Sequence, residues 1–125
     1  MDILILLPAV IHVYIFVLES LFWDRSYTRR VFGISSDEAK VTKLFAWNQG
    51  FYNLLLAMAI ITGWLLRHGV LVMNDGVLAG NVLILYGLVS ISIAGIVLFL
   101  SARRLWRSAL VQIVPAFIGL IILAI

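Results

Sequence analysis

The chain has 125 residues, of which 64% are hydrophobic and 12% charged, and its mean hydropathy is +1.15. Soluble domains carry about 25% charged residues, so this composition excludes an ordinary soluble domain and indicates a protein buried in lipid. The net charge of +3 comes from segments between apolar runs, which argues against a nucleic-acid partner, and the absence of cysteine excludes disulfides, thiolate metal sites and a cysteine nucleophile.

Four apolar segments are each long enough to cross a bilayer. A spanning helix needs about 20 mostly apolar residues, and its backbone must satisfy its own hydrogen bonds in lipid. We predict spans at about residues 3–23, 44–66, 77–100 and 108–125. The first segment has no basic start and no small-residue cleavage pattern, so we expect a retained helix rather than a signal peptide. The sequence therefore predicts a single all-α membrane domain covering residues 1–125.

The connections between the spans predict their arrangement. The longest connection, residues 24–43, is interrupted by Gly33 and then has Ser35 and Glu38 at the spacing of a capping box. The second helix should therefore begin near Ser36, ahead of the membrane. The other connections, residues 67–76 and 101–107, are short. Short links place consecutive helices side by side in opposite directions, which predicts an antiparallel four-transmembrane-helix bundle.

Basic residues predict the orientation. Eight of the nine lysines and arginines lie in the connections 24–43 and 101–107, and Arg67 alone lies on the opposite side. Because positively charged loops stay in the cytoplasm, we expect these two connections to be cytoplasmic and both termini to be outside, in a bacterial inner membrane. Four tryptophans near the predicted span ends fit an interfacial belt: Trp23, Trp47, Trp64 and Trp106.

Polar side chains inside the predicted spans are costly and indicate function or helix pairing. Three different helices carry polar residues about one turn from their cytoplasmic ends, so a rise of ~1.5 Å per residue puts these residues in one layer. They are Glu19, the Asn48-Gln49 pair and Gln112. His12 and Asn53 lie deeper, at about 13–17 Å from that end. Helical spacing also gives Trp23 the same face as Glu19. The predicted ligand-binding residues are His12, Glu19, Trp23, Asn48, Gln49, Tyr52, Asn53 and Gln112.

These polar residues also have structural interpretations. Asparagine and glutamine often join membrane helices by hydrogen bonds. Glu19 could reach the interface and pair with an arginine, and His12 could be satisfied by Asn53 or Tyr52. The candidate arginines for such a pair are Arg25, Arg103 and Arg104.

Small residues mark one face of the third span, at Gly76, Gly80, Gly87 and Ala94. Small residues allow helix backbones to approach closely. Tight packing within the bundle is the expected role of this face, and a homodimer interface is the alternative.

Several short motifs occur along the chain from the first span to the fourth. They are His12-x-Tyr14-Ile15, Glu19-x-x-x-Trp23, Val31-Phe32-Gly33, Asn48-Gln49-Gly50-Phe51-Tyr52-Asn53, Ala94-Gly95 and Val111-Gln112-x-x-Pro115-Ala116. This pattern resembles DUF1304, a domain-of-unknown-function family of small bacterial and fungal membrane proteins. The resemblance covers nearly the whole chain, and its most specific part is the run from Asn48 to Asn53. It implies a four-helix membrane protein and supplies no activity.

Three functions remain open from the sequence. The polar layer can line a pocket that binds or transports a small or amphipathic ligand near the cytoplasmic leaflet. Alternatively, His12 and Glu19 act as acid and base on a lipid-soluble substrate, or the layer only holds together a structural or assembly subunit. We expect no metal or cofactor, because the two histidines, His12 and His68, lie far apart and no nucleotide-binding or zinc-protease motif is present.

Overall fold

The computed structural model describes residues 2–125, and the secondary structure in this range is helical. Short helical turns extend the main helices: a 3₁₀ turn at Asp2–Leu6, a π-helical turn at Val17–Leu21 and a 3₁₀ turn at Arg103–Leu105. The five α-helices are α1 (Leu7–Phe16), α2 (Ser26–Phe32), α3 (Ser36–Arg67), α4 (Gly76–Ser101) and α5 (Trp106–Ala124).

Four helical segments are long and apolar enough to cross a membrane, as predicted. We refer to them in chain order as the first to fourth spans: Asp2–Leu21, Ser36–Arg67, Gly76–Ser101 and Arg103–Ala124. The second span begins where the capping box placed it. The Ser35 hydroxyl accepts a hydrogen bond from the Glu38 amide at 3.1 Å, and the Glu38 carboxylate accepts one from the Ser35 amide at 2.7 Å.

The spans form a closed ring of four neighbours. The second packs on the third, the third on the fourth, and the first on both the second and the fourth. Their shared apolar core lies in the middle of the bundle and toward the two termini, which leaves the other end for polar groups. The core residues are Ile5, Ala9, Ala57, Ile60, Ile84, Leu88, Ile91, Ala116 and Ile122.

The two ends of the bundle carry different charges. The connections that hold eight basic residues lie together, because Arg104 Nη1 donates a hydrogen bond to the Gly33 carbonyl at 2.7 Å. We call this the basic end. At the opposite end, the Asp2 carboxylate lies 3.6 Å from both Arg67 Nη2 and His68 Nε2. The fold therefore separates the basic residues as the sequence suggested, and which end faces the cytoplasm stays a prediction.

The first connection contains a helix, α2, that the sequence did not predict. The helix ends at Phe32 and is followed by Gly33, whose φ of 64° is left-handed, and glycine is the usual residue at that position after a helix. The Tyr27 hydroxyl lies 2.7 Å from the Tyr14 hydroxyl, and Thr28 is fully buried. These contacts hold α2 against the first span at the basic end.

Small residues on the third span pack inside the bundle. A Cβ atom on Gly80 would lie 2.5 Å from the Gly63 carbonyl oxygen and 2.8 Å from the Arg67 amide nitrogen. A Cβ atom on Gly87 would lie 2.5 Å from a side-chain carbon of Ile60. The expected packing role therefore holds for these glycines, whereas Ala94 is exposed.

Gly80→Ala should lower the free energy of unfolding by about 1–3 kcal/mol, because the added methyl group meets backbone atoms that cannot move aside. Gly76→Ala is the matched control, since its nearest contact outside the local helix would be an ordinary 3.4 Å to the Leu66 carbonyl. Denaturant unfolding in detergent micelles measures both. Equal effects of the two substitutions would contradict close packing at Gly80.

Candidate functional site

The buried carboxylate of Glu19 lies on the π-helical turn of the first span, where it is 8% exposed. Its Oε2 accepts a hydrogen bond from Asn53 Nδ2 on α3 at 2.7 Å. Within residues 2–125, no arginine forms an ion pair with this carboxylate. Glu19 is therefore not paired with an arginine at the interface in this structure. Turns of π-helix inside membrane and soluble helices are frequent at functional sites.

A glycine on α3 allows this hydrogen bond to form. A Cβ atom on Gly50 would collide with the Ser20 hydroxyl and would lie 3.2 Å from both Glu19 Cβ and the Phe16 carbonyl oxygen. The Ser20 hydroxyl also donates a hydrogen bond to the Trp47 carbonyl at 3.1 Å. The absence of a side chain at position 50 thus brings the first span close enough for Glu19 to reach Asn53.

A cavity of about 570 Å³ opens beside the Glu19 and Asn53 side chains, and we call it the lateral cavity. It lies between the first span and α5, with α2 covering it toward the basic end. Its walls are largely apolar, with a few polar groups among them. The lining residues are Ile11, Tyr14, Ile15, Leu18, Glu19, Tyr27, Val31, Phe32, Gln49, Asn53, Leu56, Ala94, Leu98, Leu105, Arg107, Ser108, Val111 and Gln112.

A second cavity, of about 640 Å³, lies between α3 and the connections of the basic end, and we call it the loop cavity. The two cavities share four lining residues: Glu19, Phe32, Gln49 and Leu105. The carboxylate therefore lies at the boundary between them. The remaining lining residues of the loop cavity are Trp23, Ile34, Thr42, Phe45, Ala46, Asn48, Tyr52 and Arg104.

Seven of the eight predicted ligand-binding residues line these cavities. Asn53 and Gln112 line the lateral cavity, and Trp23, Asn48 and Tyr52 line the loop cavity. Glu19 and Gln49 line both. The structure therefore divides the predicted polar layer into two neighbouring sites joined at Glu19.

His12 is the exception. Its ring is fully buried, and Nδ1 lies 2.9 Å from the Pro8 carbonyl of its own helix. Nε2 has no hydrogen-bond partner, and His12 lines neither cavity. Neither Asn53 nor Tyr52 satisfies the ring, contrary to the structural interpretation from sequence. His12 and Glu19 do not border one cavity, so the structure does not assemble them around a common substrate.

Several lining residues were missed by sequence reasoning. Phe32 and Tyr27 come from α2, and Arg107 comes from the start of α5. The sequence could have indicated Ser108, because it lies four residues before Gln112 and so shares its helix face. It indicates the helix α2 more weakly, through the two arginines before Gly33, which are typical of a helix end.

The charges in the two cavities follow one pattern. Each cavity is lined by the Glu19 carboxylate and by one guanidinium, that of Arg107 in the lateral cavity and that of Arg104 in the loop cavity. Within residues 2–125, no group of three or more histidine, aspartate or glutamate side chains could hold a metal ion. The polar groups that line the two cavities are a carboxylate, amides, hydroxyls, an indole N–H and two guanidinium groups.

Asn53→Ala should lower the free energy of unfolding by about 1–3 kcal/mol, because it leaves the buried Glu19 carboxylate without its partner. Asn48→Ala is the matched control, since Asn48 is exposed and lines only the loop cavity. Thermal unfolding in a mild detergent compares the two variants. An Asn53→Ala protein as stable as Asn48→Ala would show that the hydrogen bond contributes nothing.

Comparison with known proteins gives the chain a family. The sequence profile described as a protein of unknown function, DUF1304, matches residues 6–124. Among curated proteins and among solved structures, no match was found. The matched range includes both cavities and nearly all of the four spans, in agreement with the resemblance that the polar motifs carry. The chain belongs to the DUF1304 family.

Proposed function

We propose that the protein binds a small amphipathic ligand from the bilayer in the lateral cavity. The observation that carries this proposal is the position of the Glu19 and Asn53 pair on the wall of a largely apolar cavity inside a membrane bundle. By the distribution of basic residues, this cavity would face the cytoplasmic leaflet.

The size and lining of the lateral cavity support binding. Ligand pockets in proteins have volumes of about 300–1,000 Å³ and combine apolar walls with a few placed polar groups. The lateral cavity, at about 570 Å³, falls in that range. Tyr14 and Val111 on its edges are 45% and 52% exposed, on faces that lipid would contact. An amphipathic molecule could therefore enter sideways from the bilayer.

Unused hydrogen-bonding capacity supports binding over a purely structural role. A carboxylate offers about four acceptor positions, and the described bond of Glu19 is the one from Asn53 to Oε2. The amides of Gln49 and Gln112 face the cavity and make no hydrogen bond to another residue in the range 2–125. Polar groups that only joined helices would be expected to bond to each other.

Transport is a second candidate, favoured by the position of Glu19 on both cavities. A ligand that passes from one cavity to the other would stay in contact with Glu19 and Gln49. Such a path requires Phe32 or Leu105 to move, because both side chains belong to the shared wall. Assembly as a structural subunit has no such observation in its favour.

A ligand screen tests the proposed function. Thermal unfolding of the wild type and Glu19→Gln would be followed in detergent with amphipathic cations, lipids and isoprenoids. We expect at least one class to stabilise the wild type and to lose this effect in Glu19→Gln, because the amide replaces half of the carboxylate's acceptor groups with donors. Asp37→Asn is the matched control, since it removes an exposed carboxylate that lines neither cavity. Equal responses of wild type and Glu19→Gln to every class would contradict the proposal.

His12→Gln tests whether His12 contributes to the binding site. Because His12 lines neither cavity, the apparent affinity for the ligand class that the screen identifies should stay within about twofold of wild type, a change below ~0.4 kcal/mol. The affinity is obtained by titrating that ligand and following thermal unfolding. Loss of the ligand response in a folded His12→Gln protein would contradict the position of His12 outside the site.

A further inference from the structure

The groups that line the lateral cavity change in chemical character along its length. Arg107 and Ser108 lie nearest the basic end, at the start of α5. Glu19 and Gln112 come next. Ile11 and Leu56 continue the wall beyond this layer, with Ile11 eight residues from Glu19 along the first span, or about 12 Å of helix rise. The order from the basic end is therefore a cation, then hydrogen-bonding groups, then apolar side chains.

The Arg107 guanidinium is free to bind a ligand. Its central carbon lies 5.3 Å from the centre of the Trp106 ring. A stacked guanidinium keeps its N–H donors available, and within residues 2–125 no carboxylate or carbonyl engages them. Arg104 differs, because its Nη1 is committed to the Gly33 carbonyl. The positive end of the α5 dipole, which has no side-chain cap, adds to the field at Arg107.

We infer that the ligand of the lateral cavity is a single-chain lipid with an anionic headgroup, held at Arg107. This inference rests on the proposed function and names its ligand class. In this arrangement the phosphate or carboxylate of the headgroup contacts the Arg107 guanidinium. A neighbouring hydroxyl donates to the Glu19 carboxylate, and the hydrocarbon chain lies along Ile11 and Leu56.

Desolvation favours this orientation over a cationic headgroup at Glu19. Glu19 is 8% exposed, so a cation placed against it would lose its hydration, and such burial often costs more than the pairing returns. Arg107 is exposed, so an anion placed there keeps water on its outer side.

Three probes with the same oleoyl chain test the headgroup. These are 1-oleoyl lysophosphatidate, which is anionic, monoolein, which has the same glycerol ester without phosphate, and oleoylcholine, which is cationic. Inorganic phosphate serves as the fourth probe and tests whether the anion alone is recognised. Binding is titrated by native mass spectrometry of the full chain released from zwitterionic lipid nanodiscs.

Arg107→Gln and Arg103→Gln form a matched pair of variants. Both remove one exposed guanidinium from the same connection, but Arg103 lines neither cavity. We expect wild type and Arg103→Gln to bind lysophosphatidate about tenfold more tightly than monoolein, as a charge-assisted contact allows. In Arg107→Gln the preference should fall to about twofold or less. Arg107→Lys should retain part of it, because the charge remains while the two-pronged contact is lost.

The outcomes separate this inference from the proposed function. Binding of monoolein or oleoylcholine as tight as that of lysophosphatidate, still dependent on Glu19, would overturn the headgroup assignment and leave the proposed function standing. Binding of inorganic phosphate as tight as that of lysophosphatidate would overturn the lipid assignment. An equal loss of preference in Arg103→Gln would show that net charge, rather than Arg107, attracts the anion. Failure of every oleoyl probe to bind would count against both proposals.

Discussion

A bilayer core provides no water to solvate a polar group, so each buried polar side chain must find a partner in the protein. In this chain the requirement falls most heavily on Glu19, which is 8% exposed and accepts a hydrogen bond from Asn53 at 2.7 Å. That bond needs the first span to lie close to α3, and Gly50 provides the space. The position of the first span at the basic end therefore depends on Gly50 and on hydrogen bonds to α3, which include the bond from Asn53 to Glu19 and that from Ser20 to the Trp47 carbonyl.

The two halves of the bundle meet this constraint differently. Toward the termini, the second and third spans pack closely through Gly63, Gly80 and Gly87, and the core there is apolar. Toward the basic end, the first span pairs with α3 and leaves space on its other side, beside α5. The two cavities, whose largely apolar walls carry a few polar groups, lie in this half of the bundle.

Much of the fold follows from local sequence patterns. Hydropathy located the four spans, and Ser35 with Glu38 fixed the start of α3, because both signals depend on residues close together in the chain. The sequence also predicted that Glu19, Gln49 and Gln112 lie at the same depth in the membrane, because the rise per residue of a helix converts position in the chain into distance from the span end. These three residues do line one cavity.

The parts that sequence reasoning missed depend on contacts between distant residues. The position of α2 is fixed by the Tyr14 and Tyr27 hydroxyls and by the bond from Arg104 to Gly33, and no periodicity in residues 24–43 reports such pairs. His12 lies seven residues before Glu19, a spacing that predicts the same helix face, yet its ring bonds to Pro8 within its own helix. Helical spacing gives the face of a residue but cannot tell whether that face meets a cavity or a packed neighbour. Arg107 also lines the lateral cavity because of how the helices pack, which its position in the sequence does not indicate.

Site-directed thiol labelling would show whether the polar layer borders an open cavity. The natural chain has no cysteine, so Gln112→Cys introduces a unique thiol at the cavity wall and Ser92→Cys a buried control, 5% exposed. Only a water-accessible thiolate reacts with a charged maleimide. The structure predicts that Gln112→Cys in native membranes is labelled readily, that occupation of the cavity by a ligand slows the reaction, and that Ser92→Cys stays unmodified. A Gln112→Cys thiol as inert as Ser92→Cys would show that the layer is closed and that its polar groups only join helices.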